Sequence, residues 1–197
     1  VHTEDSLRDG ARLHAAQLWI ALPDEKINMA PQFDHYPELP VVHQDGVAIT
    51  VLVGEYLKTK SPVVVHTELL GVDLEAKDNT RTRLPLNPKF EYGFMALEGT
   101  AHINGHELTA DNMVVLEPGL EHVDIEIHAN SRVLLLGGEP FESPILLWWN
   151  FVGRTQEELS IAREQWINAD ARFGTIPDYE GPRLEAPVFP DKMRASK

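Results

Sequence analysis

Cysteine is missing from all 197 residues, and its absence excludes disulfides, thiolate metal sites and cysteine nucleophiles together. That composition is compatible with a cytoplasmic location. Long apolar runs are missing too: none approaches the roughly 20 residues a membrane-spanning helix needs. The first residues show no secretory leader pattern. Positive charge is scarce, with 17 Lys and Arg against 31 Asp and Glu and a formal net charge of −14. A surface of that sign repels phosphate backbones and anionic bilayers, so neither direct nucleic-acid binding nor membrane binding is expected. No glycine-rich dinucleotide fingerprint, P-loop or G-x-S-x-G elbow occurs, and no Ser/His/Asp spacing suggests a triad.

What is present is a succession of short strands. Val47 to Val53 is apolar and ends at Gly54. Leu70, Val72 and Leu74 alternate with Gly71, Asp73 and Glu75, which gives one buried face. Tyr92 to Leu97 ends at Gly99, and Ala101 to Ile103 leads into Asn104-Gly105, a two-residue hairpin signal because both positions tolerate positive φ. Met113 to Leu116 stops at Pro118-Gly119, after which Val123, Ile125 and Ile127 alternate with Asp124, Glu126 and His128. Strands at intervals of roughly 8–12 residues predict an all-β antiparallel sandwich or barrel. In jelly-roll terms this is a cupin, spanning about Asp45 to Glu139. A chain of this length buries on the order of 70% of its unfolded surface, enough for one domain with appendages.

From Leu134 the pattern changes. The sequence runs LLLGGEPFESPILLWWNFVGRTQEELSIAREQWINADARFGTI. The apolar run Val133 to Leu136 is expected to stop at Gly137-Gly138, and Pro140 and Pro144 keep the next segment extended. A second apolar run, Ile145 to Trp149, leads to Asn150-Phe151. Thr155 then opens a helix, and Glu158 three residues later completes a capping box. Leu159, Ala162, Trp166 and Ala169 fall on one face at helical spacing. The tryptophans, Trp148-Trp149 included, read as interdomain packing.

The motifs LLLGGEPFESPI, WWNFVGRTQEE and RFGTI, with LHAAQLWIALP (Leu13 to Pro23) and TELLGVDLEA (Thr67 to Ala76) upstream, resemble the pirin family over nearly the whole chain. The resemblance implies a bicupin with a C-terminal α-helix. It implies that residues 1–23 end an N-terminal cupin, with Leu13 to Leu22 as one of its late strands. Residues 24–44, with three prolines, would connect the domains, and 45–139 would be the C-terminal cupin. Residues 140–197 would hold the crossing strand, the helix and an extended tail. The helix and tail are expected to pack on strands of the first cupin. Since the chain starts at Val1 rather than Met, most of that first cupin is expected to lie upstream.

His2-Thr3-Glu4 is the constellation with catalytic meaning. On a strand, residues i and i+2 share a face, so imidazole and carboxylate can converge on one ion, and that donor pair suits divalent iron or another divalent metal. Alone, the pattern reads as a polar pair at a frayed end. The resemblance implies more: in pirins the first cupin holds one metal through three histidines and one glutamate, and the last two ligands form an H-x-E before the QLW strand. It therefore gives His2 and Glu4 the ligand role, with the earlier H-x-H absent from this chain. Two ligands cannot close a site, so weak metal binding or none is expected of the chain alone. The resemblance also implies a quercetinase, in which the metal binds a deprotonated flavonol and Glu4 is a candidate base. The alternatives are a metal-binding regulator that contacts a protein partner, and a metal-free bicupin scaffold.

The other histidines read differently. His66-Thr67-Glu68 repeats the pattern without a preceding H-x-H and reads as polar residues at a strand edge. In the second cupin Leu86, Asn87 and Pro88 stand where ligands would be needed, and His122 has no partners, so that cupin is expected to be metal-free. His102 and His106 flank the Asn104-Gly105 turn as a solvated hairpin tip. His14 lies in LHAAQLW and is given no ligand role.

Overall fold

The structure is a computed structural model that describes residue 10, residues 15–175 and residues 180–190. His2, Glu4 and His14 lie outside the described residues, as does Ile176 of the RFGTI motif. The chain divides into two compact units, residues 34–140 and a second made of residues 1–33 with 141–197.

The first unit is a cupin built from two antiparallel sheets. Its strands are β1 (Val41–Gln44), β2 (Val47–Val53), β3 (Glu55–Tyr56), β4 (Thr59–Lys60), β5 (Leu69–Ala76), β6 (Thr80–Pro85), β7 (Glu91–Glu98), β8 (Ala101–Ile103), β9 (His106–Leu108), β10 (Met113–Leu116), β11 (His122–Ile127) and β12 (Ser131–Gly138). The larger sheet has the order β1-β2-β5-β12-β7-β10 and the smaller β6-β11-β8-β9, while β3 and β4 form a separate small hairpin. β1 falls inside the segment read from sequence as the interdomain connection; Val42 and Gln44 give it enough inward contact to pair with β2 as an edge strand.

Alternation decides the core. Val47, Ile49 and Val51 are fully buried between half-buried neighbours on β2, and Val123, Ile125 and Ile127 are buried from the opposite sheet, with His122 and Asp124 exposed between them. One continuous hydrophobic cluster joins the two sheets through Leu74, Leu84, Phe94, Ile103 and Val133. The central strands β5 and β12 are buried on both faces: Asp73 is 5% and Leu134 2% exposed. Arg132 Nε shares its N–H between the two Asp73 carboxylate oxygens, each at 2.8 Å, and Nη2 donates to Oδ2, so the buried carboxylate is paired rather than stranded.

The Asn104-Gly105 turn forms as expected, with φ of 49° and 82° and Ile103 opposite His106. The stop expected at Gly137-Gly138 does not occur. β12 runs through both glycines, which pair with Leu70 and Leu69 on one side and with Tyr92 and Glu91 on the other. The reason lies across the ladder: a Cβ on Gly137 would sit 2.4 Å from the Tyr92 ring. Glycine here admits an aromatic ring instead of ending a strand.

In the second unit, β13 (Leu146–Trp148) and β14 (Phe151–Gly153) make a hairpin that the sequence read only as an aromatic strand. Trp149 turns it with φ of 51°, an unusual conformation for so bulky a residue. The α-helix α1 (Gln156–Ile167) follows. Thr155 Oγ1 accepts the Glu158 N–H at 3.1 Å, as the capping signal predicts, but Glu158 Oε2 reaches one residue beyond the N-cap and accepts the Arg154 N–H at 2.7 Å. Leu159 and Ala162 are buried and Trp166 half-buried, against Phe151, Trp148, Trp149 and Phe173. Ala169 does not share that face. It has left the helix with φ of 53°, is exposed, and donates its N–H to Trp166 O at 3.2 Å as part of the C-terminal cap. The strand expected over Leu13 to Leu22 is not formed at the described positions 15–22. A strand exists only beside a partner ladder, and no described strand runs alongside this segment.

Candidate functional site

The cupin positions where metal ligands were sought hold Leu86, Asn87 and Pro88, and two tyrosines bond to the backbone beside them. Leu86 is buried in the core; its N–H donates to Glu121 O at 2.8 Å. The Asn87 N–H donates to Tyr92 Oη at 2.7 Å, while Asn87 Oδ1 accepts from the Lys89 N–H at 3.0 Å. Gly119 N–H closes the mouth on Pro88 O at 2.7 Å. On β3, Tyr56 is buried and its hydroxyl donates to Pro85 O at 3.0 Å. Burial pushes the Tyr56 phenol far above its ordinary value, with the nearby Tyr92 adding to the shift. Burial raises Tyr92 as well, against the opposing effect of its backbone hydrogen bond at Asn87. Both phenols are therefore held neutral. Leu86 and Pro88 carry no side-chain donor atom and Asn87 Oδ1 is taken by the Lys89 N–H, so these three positions do not suit divalent iron.

No three His, Asp or Glu side chains among the described residues are placed to hold one ion. His66 is exposed in the segment before β5, and Glu68 beside it uses its carbonyl to accept the Glu139 N–H at 3.3 Å. His122 begins β11, exposed, opposite Pro85. His102 and His106 do not face one another. His102 lies opposite Glu107 and His106 opposite Ile103, so the two point to different faces of the hairpin. The expected solvated tip holds for His106 alone, since the His102 ring packs 5.5 Å from the His128 ring and its Nδ1 is buried without a hydrogen-bond partner. His128 Nδ1 shares a 2.7 Å hydrogen bond with Thr100 Oγ1.

On the outer face of the smaller sheet a shallow depression of about 520 Å³ is lined by Asp45, Arg81, Thr82, Arg83, Asp124 and Glu126. Arg83 forks onto Asp124 at 2.6 and 2.8 Å, and Arg81 meets Glu126 at 3.1 Å. The Arg83 hydrogen bond holds the Asp124 carboxyl below its ordinary range. With each guanidinium already matched to a carboxylate, the depression presents no spare cation to an anionic ligand.

Sequence reasoning missed Arg154. Its guanidinium is nearly buried, donates to Asp24 Oδ1 at 2.9 Å and to Leu22 O at 2.7 Å, and lies 5.1 Å from the Phe141 ring centroid. It thus ties the segment that follows the QLW motif to the entrance of α1. The only signal was its place inside FVGRTQEE, since an arginine's partners 130 residues away leave no local trace.

Comparison with known proteins fits this architecture. The family model described as the pirin C-terminal cupin domain matches residues 71–174, just over half of the chain. A Pseudomonas aeruginosa protein named "Putative quercetin 2,3-dioxygenase" is 43% identical over 98% of this chain and 62% of its own length. Human pirin is 27% identical over 81% of this chain and 58% of its own. A crystal structure titled quercetin 2,3-dioxygenase from Acinetobacter baumannii superposes with a TM-score of 0.86 and 71% identity, over 91% of this chain and 60% of that one. The chain thus spans about three fifths of the length of the relatives it matches.

Proposed function

We propose, from the premise that this chain belongs to the pirin family, that it is part of a metal-dependent dioxygenase of quercetinase type acting on flavonol-like substrates. The observation that carries this reading is the 71% identity, at a TM-score of 0.86, to the Acinetobacter protein titled quercetin 2,3-dioxygenase. Among the described residues no three His, Asp or Glu side chains converge on one point, which supports a reading in which the ion sits in the other cupin. His2 and Glu4 would be two of its ligands, with the rest supplied by residues preceding this chain. A bound divalent ion would contribute Lewis acidity and access to dioxygen. Glu4, ionised, would accept the flavonol hydroxyl proton. The cupin of residues 34–140 would then be scaffold.

The test uses the complete protein. His2→Ala and Glu4→Gln are expected to abolish stoichiometric iron, read by elemental analysis, and loss of flavonol absorbance under oxygen with it. His66→Ala and His122→Ala are expected to leave both intact. Because ligating histidines must be neutral and the glutamate ionised, iron affinity is expected to fall as pH drops towards about 6. Iron lost in His66→Ala or His122→Ala but kept in His2→Ala would put the site in the cupin of residues 34–140 and overturn the proposal. The net charge of −14 favours a second reading, a metal-binding regulator that engages a basic surface on a partner. Stoichiometric iron without flavonol turnover would point there.

A further inference from the structure

The larger sheet ends at β10, which pairs with β7 along one side and has no described strand along the other. Beyond that ladder, residues 113–116 make no backbone hydrogen bond among the described residues. Proteins blunt such edges with lysine, proline or a bulge. β10 reads Met-Val-Val-Leu, and its register with β7 runs without a break. The side chains beside the edge are apolar. Val114 and Leu116 turn inward onto the core, so Met113 and Val115 face outward, 55% and 54% exposed. Met113 sits opposite the exposed Met95, and Val115 opposite Gly93. The missing side chain at Gly93 leaves a dent overhung by the Met113 sulfur, 3.4 Å from where a Cβ would stand. Carboxylates close one end of the patch. One step past the Leu116–Tyr92 pair the ladder brings Glu117 opposite Glu91, both exposed, and neither meets a cation among the described residues. Like charges across a ladder repel, and a cation placed beside them relieves that repulsion.

We infer that the free edge of β10 takes an extended, basic segment of a partner protein as an added strand. Main-chain hydrogen bonds along the edge give affinity, and alternate side chains give specificity. Laid antiparallel, the segment sets a lysine or arginine against Glu117 and Glu91. Its next two side chains on that face, at every second residue, meet Val115 and then Met113. An aromatic ring at the last position suits the sulfurs of Met113 and Met95. The intervening side chains point to the other face and carry no charge requirement. A second copy of this chain is the poorer occupant, because it brings the same carboxylates and the same net charge of −14. The surface lies wholly within the unit of residues 34–140. It gives the regulator reading a place on the molecule and does not depend on the metal.

The test uses the full chain and a fluorescent peptide carrying Lys-Thr-Val-Thr-Phe, read by anisotropy. Saturable binding with a Kd below about 1 mM is expected. The same peptide N-methylated throughout cannot donate to a ladder and is expected to fail. Exchanging its lysine for glutamate is expected to weaken binding several-fold at low salt, and Glu91→Gln with Glu117→Gln in the protein is expected to erase that difference. Val115→Lys, on the outward face, is expected to abolish binding while the thermal transition stays in place. No saturable binding, or equal binding of the N-methylated or the glutamate peptide, would overturn the proposal, as would unchanged binding to Val115→Lys. Self-association of the free chain that Val115→Lys removes would make a second copy the occupant and overturn it too. If Val115→Lys loses its thermal transition, the two glutamine changes decide alone. Iron content and flavonol turnover do not enter the readout, so this edge and the metal reading fail separately.

Discussion

Gly137 and Tyr92 form a pair in which one residue makes room for the other. A methyl group on Gly137 would collide with the ring at 2.4 Å, so Gly137→Ala is expected to cost about 1–3 kcal/mol, the usual range for overpacking. In a Tyr92→Ala background the same change is expected to cost much less, and a denaturant-based double-mutant cycle reads the difference. Tyr56 sets a limit at alkaline pH. Its folded-state value is raised above that of the unfolded phenol, so folding holds its proton when the unfolded chain would release it. That contribution is complete below about pH 10 and is lost as pH rises further. A melting temperature that falls from pH 9.5 to 11, and falls less steeply in Tyr56→Phe, is the expected result. Tyr92, also raised, contributes to the slope that remains. Neither tyrosine was singled out from sequence, because their importance comes from burial and mutual approach rather than from any motif.

Among the elements, α1 is where sequence signals and structure agree most closely. The Thr155 cap is local chemistry between residues three apart, so it is legible in the string. Thr155→Ala is expected to cost about 1 kcal/mol. Leu159 is fully buried, and Leu159→Ala is expected to cost roughly 2–5 kcal/mol. Leu147→Ala, on the exposed side of the β13–β14 hairpin, should change stability by no more than about 0.5 kcal/mol. Tryptophan fluorescence is the right probe, since Trp19, Trp148, Trp149 and Trp166 all belong to the second unit. The hairpin itself was missed because its turn uses Trp149 in a left-handed conformation, where turn chemistry would lead one to look for glycine or asparagine. Rings of Phe151 and Trp166, at 5.3 and 5.9 Å, hold it there.

For the whole molecule, charge and division into units govern behaviour. With a net charge of −14, the protein is expected to pass through a heparin column at neutral pH and low salt and to bind an anion-exchange resin. Retention on heparin would show a basic patch that composition conceals. No described helix is long and apolar enough to cross a membrane.

Strand alternation, the Asn104-Gly105 turn and the Thr155 cap were determined by the sequence itself, because each depends on neighbours within a few residues. From these came the cupin, its inward faces and the start of the helix. Only the tertiary structure decided that β12 runs through two glycines, that Asp73 is buried against Arg132, and that Arg154 grips Leu22 and Asp24. It alone placed residues 184–189 of the tail on Trp148 and Trp166. These are contacts between residues up to 132 positions apart, and their free energy comes from burial and paired charge that no local pattern records.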